Sequence, residues 1–526
     1  MNSAASAAGA TEDLWLCDIR IPALFVPGSP SSSRDVRWDL QISRGRVAAV
    51  VPHEGTRAGR DRSWHLDGRW LLPAFVDSHL HLHTMAQWRT VLDLDRRTTA
   101  EILAARMTEC APSSIGWRIA KGWHDPLADT LDPDPRQFLD RVSPDAPAWV
   151  FAADHHRALL NSAALRTVGL PVEGHVGVLL ENELMAAWES VPPLPAEPAR
   201  VAEAMNRCGI VAATSFDDEV ALARWRSAVE EEGLTLRVRH SRPHSEFLSA
   251  AGDGTVEAPR ETRESRFFAP WVKGFLDGTL GSRTAWLLEP YADAPTECGD
   301  ERVDAEERRR LAEEVARAGW SLALHAIGDA AVDSALAMIE TVRELRDELG
   351  VTAAAPDRVE HAQLLPESSL ARWRKSGAVA SMQPCHLLED AVVGPERFGD
   401  RCRRLFAART LEKAGIPLCF GSDAPIETID PWIDVRAAVE RVDRAGRFPD
   451  GWIAEEKVSW ETAILGRTAA AAEPNALPEG WGSLEVGAPA DLQILGCDDP
   501  RAVSTIDEAK LEALSLEGEW LRGGPA

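Results

Sequence analysis

Eight short apolar runs, most of them followed by a helix-like stretch, constrain this chain more than any other feature. The runs are Leu71 to Asp77, Ile210 to Phe216, Leu234 to His240, Trp271 to Leu276, Ser321 to His325, Arg358 to His361, Val379 to Gln383 and Pro417 to Gly421. Each is short and most are rich in apolar residues, the pattern of a strand buried on both faces of a parallel sheet. Most of the intervals are rich in Ala, Leu, Glu and Arg at helical spacing, as in Ala305 to Ala318. Strand alternating with helix eight times predicts an α/β protein, a (β/α)8 TIM-like barrel. Short β-type segments open the chain (Leu14 to Phe25, Trp38 to Val51, His65 to Leu72) and others close it (Gly482 to Leu495, Leu514 to Leu521). Neither group makes a useful sheet alone. The expected organisation is a small β-sandwich domain built from both termini, 12–72 with 478–522, around a barrel over 73–477.

One interval breaks the rhythm. His81 and Ile210 lie 129 positions apart, far more than a crossover helix needs. An insertion after the first strand emerges at the face where barrel sites are built, so the stretch from about 95 to 205 reads as a cap.

Composition narrows the partners. The 526 residues hold 57 Lys and Arg against 83 Asp and Glu, a net charge of −26; this argues against nucleic acid and against an anionic membrane. A neutral or cationic small molecule fits better, and a homodimer is compatible with it. The first residues, Met1-Asn-Ser-Ala-Ala-Ser, carry neither a basic region nor an apolar core, and no run approaches the roughly eighteen apolar residues of a membrane span. The expected compartment is cytoplasmic. Eight dispersed cysteines without a Cys-x-x-Cys pair suit reduced thiols.

The chemistry collects at the downstream ends of the runs. His79, His81, Lys273, His325, His361 and Asp423 all sit there, and a barrel brings strand ends together on one face. Imidazoles and carboxylates suit zinc and similar ions, so six such residues read as the layout of a two-metal hydrolase. His79 and His81 share one side of a strand end because strand side chains alternate. His83 continues the alternation but lies past the expected strand end. Lys273 is costly to bury charged; burial favours its neutral amine, which adds carbon dioxide to give an anionic carbamate able to bridge two cations. Its plainer alternatives are snorkelling to the barrel mouth and pairing with Asp277. For the histidines the alternative is a buried ring satisfied by a carbonyl, and for Asp423 a helix cap. Asp423 is favoured as ligand and general base, because an activated water needs a carboxylate to take its proton. Asp329 reads as a helix N-cap and Glu360 as an orienter of an imidazole. Ser282 and Arg283, on a glycine-bearing loop just after Lys273, are candidate substrate contacts.

These motifs resemble those of a known family. Pro73-Ala-Phe-Val-Asp-Ser-His79-Leu-His81 is similar to the first-strand signature of the amidohydrolase superfamily, with Ala74 where Gly is usual. Val272-Lys-Gly-Phe-Leu-Asp-Gly-Thr-Leu-Gly-Ser-Arg-Thr284, His325-Ala-Ile-Gly-Asp329, Arg358-Val-Glu-His-Ala-Gln363 and Gly421-Ser-Asp-Ala-Pro425 resemble the branch of YtcJ-type hydrolases and N-substituted formamide deformylases. The likeness runs from about residue 15 to about 522. It also covers Asp154-His-His-Arg-Ala-Leu-Leu-Asn-Ser162, in which His156 matches a family histidine and is a candidate to hydrogen-bond substrate, with a structural role as the equal alternative. The resemblance implies two divalent metal ions, with zinc the expected ion and carbamylated Lys273 as the bridge, and a metal-bridging hydroxide that hydrolyses an amide-type C–N bond of an N-substituted formamide or other N-acyl amine, with Asp423 as base. Two rivals stand beside it. A mononuclear deaminase of amino-heterocycles would carry Glu three residues after His325, where Gly328 stands. A non-catalytic scaffold would have lost ligands, and none is missing.

Overall fold

The structure, a computed structural model, describes residues 13–26, 36–55, 62–89, 91–94, 98–123, 131, 134–152 and 157–525. Eight parallel strands form one sheet: Phe75–Leu80, Ile210–Ser215, Arg237–Pro243, Phe267–Phe275, Ser321–Ala326, Arg358–His361, Val379–Met382 and Leu418–Phe420. Past the eighth strand the chain returns to the first. The Asp423 N–H donates to His79 O at 2.7 Å and the His81 N–H to Ala424 O at 2.8 Å, which brings the two ends of the sheet together as a barrel. Helices cover it, and their ends follow local chemistry. In Ala305–Ala318 the Asp304 side chain accepts from Glu307 N, and Gly319 closes the other end at φ 71°.

The first strand begins later than the apolar run suggests. Leu71 to Asp77 divides at Ala74, whose N–H goes to Asp491 O while the Phe75 N–H goes to Gly209 O. The upstream piece, Trp70–Pro73, pairs antiparallel with Leu492–Leu495, and only Phe75–Leu80 enters the barrel. The residues before and after the break belong to different sheets, although both pieces are buried throughout.

The terminal segments form two further four-stranded sheets. One holds Arg46–Pro52, Trp38–Ser43, Leu14–Ile19 and Ser63–His65; the other holds Glu519–Arg522, Leu511–Leu516, Leu492–Leu495 and Trp70–Pro73. The second combines strands from both ends of the chain. The run from Leu514 to Leu521 is a hairpin rather than one strand, because Glu517 and Gly518 form a two-residue turn with φ of 53° and 77°.

The chain divides into two compact units, Met1–Leu82 with Pro198–Ala526, and His83–Glu197. The second has its own five-stranded sheet, from Val178–Leu180 through Arg157–Leu160, Ala148–Ala152 and Arg118–Trp123 to Leu92–Asp93. Its core is aromatic, with Trp149 and Phe151 packed on Trp188 at ring separations of 5.0 and 4.8 Å. All eight cysteines are free. Among the described residues no helix is long and apolar enough to cross a membrane.

Candidate metal centre

The barrel brings the six strand-end residues into one group. His79 lies one residue before the end of the first strand and His81 follows it; Lys273 lies near the end of the fourth, His325 near the end of the fifth, His361 at the end of the sixth, and Asp423 three residues past the eighth. Ring centroids step from His81 to His79 (5.9 Å), His79 to His361 (4.9 Å) and His361 to His325 (4.4 Å). His79, Lys273, His325, His361 and Asp423 are buried. His361 and Asp423 adopt left-handed φ of 68° and 58°, a conformation that costs non-glycine residues energy and clusters at functional sites.

Asp423 lies at the centre. Its Oδ1 is 3.5 Å from His79 Nε2 and 3.3 Å from His81 Nε2, and it has no hydrogen-bond partner. Ligand atoms about 2.0–2.2 Å from a tetrahedral zinc lie about 3.3–3.6 Å from one another. These spacings are therefore what a cation between the three residues requires. Two sets among the described residues could hold an ion, His79 with His81 and Asp423, and His361 with His386 and Asp423. Asp423 is no helix cap, since the next helix starts at Pro431 and is capped by Asp430.

Hydrogen bonds aim these rings. His79 Nδ1 donates to Glu360 Oε2 at 2.6 Å, which turns Nε2 toward Asp423. Glu360 is gripped by Arg358, whose Nε lies 2.8 Å from Oε1 and Nη2 3.1 Å from Oε2. The same guanidinium donates to Ser78 O, Ser381 Oγ and Asn475 Oδ1, and sequence reasoning did not single it out. His325 Nε2 donates to Gly278 O at 3.1 Å. That bond ties the loop after the fourth strand to the site.

Lys273 is not paired with Asp277. Its Nζ is buried without a hydrogen-bond partner, 4.3 Å from the Phe216 ring centroid and 4.8 Å from that of Phe275. Asp277 instead accepts the N–H groups of Gly328, Trp286 and Ile327. Burial lowers the Lys273 ammonium to about 8, against the pull of Glu360 and Asp423. Burial and the Lys273 charge hold His79 below its ordinary value and take His325 down to about 3. Burial and the neighbouring imidazoles hold His361 well below the usual range. Three neutral imidazoles result, the form that binds a metal. Burial opposes ionising Asp423, yet the hydrogen bond from His386 and the approach of His81 hold its carboxyl well below the usual carboxylate range.

The two candidate substrate contacts on the loop after the fourth strand have partners of their own. Ser282 Oγ is occupied by Thr284 Oγ1 at 2.6 Å and Thr279 Oγ1 at 2.9 Å, and Arg283 by Asp293 at 2.7 Å. His156 lies outside the described residues. His83 belongs to the helix Leu82–Trp88 and meets Gln87 at 3.2 Å. Asp329 is not the N-cap expected of it: Gly328 holds that position, and Asp329 Oδ1 accepts from Leu288 N at 2.9 Å. A side chain at 328 would place its Cβ 1.9 Å from Trp286 O, so the backbone leaves no room for the Glu of a deaminase.

His386 was not foreseen. It ends the turn Pro384–His386 after the seventh strand, and its Nε2 lies 3.1 Å from Asp423 Oδ2. Burial works against its charge, but the bond to Asp423 and the charges of Asp423, Asp390 and Glu427 raise it to about 9. The available signal was the polar stretch Gln383-Pro-Cys-His386, which closes the only late strand without an assigned residue.

Known proteins resemble this chain over most of its length. The chain is 28% identical to the protein LONG AFTER FAR-RED 3 of Arabidopsis thaliana, over 92% of this chain and 88% of that one. It is 28% identical to the putative amidohydrolase YtcJ of Bacillus subtilis (87% and 89%) and 25% identical to the N-substituted formamide deformylase of Arthrobacter pascens (90% and 92%). Among solved structures it resembles an uncharacterized metal-dependent hydrolase from Pyrococcus horikoshii OT3, with TM-score 0.77 and 26% identity over 94% of this chain and 99% of that one. The model of the amidohydrolase family matches residues 65–525, and the chain belongs to that family.

Proposed function

We propose that this protein is a binuclear metal-dependent hydrolase of an acyclic amide, an N-substituted formamide or another N-acyl amine, which it splits into a carboxylic acid and an amine. The observation that carries the reading is the buried, unpartnered Oδ1 of Asp423, set at ligand spacing from two imidazole nitrogens. His79, His81 and Asp423 would hold one cation, and His325 and His361 the second. Lys273, whose ammonium burial makes easier to deprotonate and whose Nζ lies between two aromatic rings, would as the free amine bond through Nζ to the carbon of carbon dioxide and lose a proton, giving an anionic carbamate ligand for the centre. Zinc suits this donor set of nitrogen and oxygen.

When bound, the cations polarise the amide carbonyl and lower the pKa of water. The residues do the rest. Asp423 takes the proton of the attacking water and delivers it to the departing nitrogen, so that the amine leaves neutral. Glu360 and Arg358 keep His79 Nε2 directed at the centre. The formamide class is supported by the likeness to the Arthrobacter deformylase over most of both chains; the backbone against position 328 weighs against a deaminase.

The test sets zinc-loaded protein against an N-benzylformamide-like amide and against amino-heterocycles, with products identified by mass. Formate and free amine are expected. Ammonia from a ring amino group, with the amides untouched, overturns the proposal.

A further inference from the structure

Two contacts divide the Asp423 carboxylate between two tasks. Oδ1 faces His79 and His81, while Oδ2 is held by His386. A carboxylate rotates almost freely about its last bond; an oxygen that must point at a cation needs its partner oxygen anchored. Asp423 bears a negative charge and only accepts, so the imidazole Nε2–H donates.

The anchor is itself rigidly mounted. The His386 N–H donates to Gln383 O at 3.1 Å, and the Cys385 N–H donates to Asp434 Oδ1 at 3.0 Å. Asp434 is buried and gripped through Oδ2 by Arg467 Nε at 3.0 Å and Nη2 at 2.8 Å. The third nitrogen of Arg467 lies 3.3 Å from Asp77 Oδ2, and Asp77 Oδ1 accepts the Ser422 N–H at 2.9 Å, one residue before Asp423. One buried guanidinium thus fixes the backbone entering Asp423 and the turn that carries His386.

We propose, resting on the metal-centre reading above, that His386 is a positioning residue for Asp423: it locks Oδ2 so that Oδ1 is presented to the cation shared with His79 and His81. His361, His386 and Asp423 also make a group able to hold an ion. His386 Nε2 is already bonded to Oδ2, which favours positioning over direct ligation.

The experiment uses full-length protein loaded with Co²⁺ and with Zn²⁺, comparing His386→Ala, His386→Gln and His386→Asn with the wild type. The readouts are metal equivalents, the Co²⁺ visible spectrum, kcat and KM. Loss of an outer partner of a metal ligand costs about 10–100-fold. The expected result for His386→Ala is unchanged metal content, a shifted Co²⁺ spectrum and a kcat lower by that factor, with KM within about twofold. His386→Gln, whose amide reaches as far as Nε2, recovers part of both signals, and the shorter His386→Asn recovers less. If the alanine variant does not fold, the Gln and Asn variants carry the comparison. Loss of a metal equivalent makes His386 a ligand and overturns the proposal; so does an unchanged spectrum with unchanged kcat, or an effect on KM alone. A wild type inert on amides whose Co²⁺ spectrum still responds to His386→Ala rejects the proposed reaction and keeps the positioning role.

Discussion

Glu360 and His79 share a 2.6 Å hydrogen bond in the barrel interior, and both are essentially excluded from solvent. Glu360 is held ionised despite its burial, because the Arg358 guanidinium lies against it. The bond settles which nitrogen of His79 faces Asp423.

Glu360→Gln keeps the shape but removes the charge that holds both His79 and Arg358. Breaking a buried pair by removing one partner costs about 3–5 kcal/mol, and loss of a ligand's outer partner weakens metal binding by about 10–100-fold. Denaturant titration and competition with a chelator measure the two effects separately. A variant as stable and as tightly metallated as the wild type contradicts this arrangement.

Lys273 carries the bridge in the proposed centre. Protein grown with ample zinc is expected to hold close to two equivalents, and Lys273→Ala to lose at least one. A single equivalent that ignores the Lys273 substitution rules out the binuclear centre.

Asp423→Asn leaves the contour of the site and removes the proton acceptor. Turnover is expected to fall by about a hundredfold or more, measured on protein whose metal content is determined in parallel. Near-normal turnover in a fully metallated variant refutes the role of Asp423 as base.

Arg467→Met tests the buried support beneath the site. It strands the Asp77 and Asp434 carboxylates, both excluded from solvent, and is expected to destabilise the fold by about 3–5 kcal/mol, read from chemical denaturation. A loss under about 1 kcal/mol means that these carboxylates find other partners.

Much of this protein is legible in one dimension. Strand periodicity and helix caps are local, so the eight runs, the helix from Ala305 to Ala318 and the His79/His81 pair follow from neighbouring residues. The convergence of His79, His325, His361 and Asp423 follows from one global rule, that barrel strand ends share a face. What the tertiary structure decided are the contacts no spacing encodes. Pro73 and Phe75 join different sheets because each pairs with a different distant segment, Pro73 with Leu492 and Phe75 with Ile210. Asp329 leaves the cap position to Gly328 and spends its carboxylate on the Leu288 N–H, 41 positions away. Arg358 meets Asn475 across 117 positions, and His386 meets Asp423 across 37. Their roles rest on hydrogen bonds between distant segments, and a buried polar group is given its partner by packing, after the chain has folded around it.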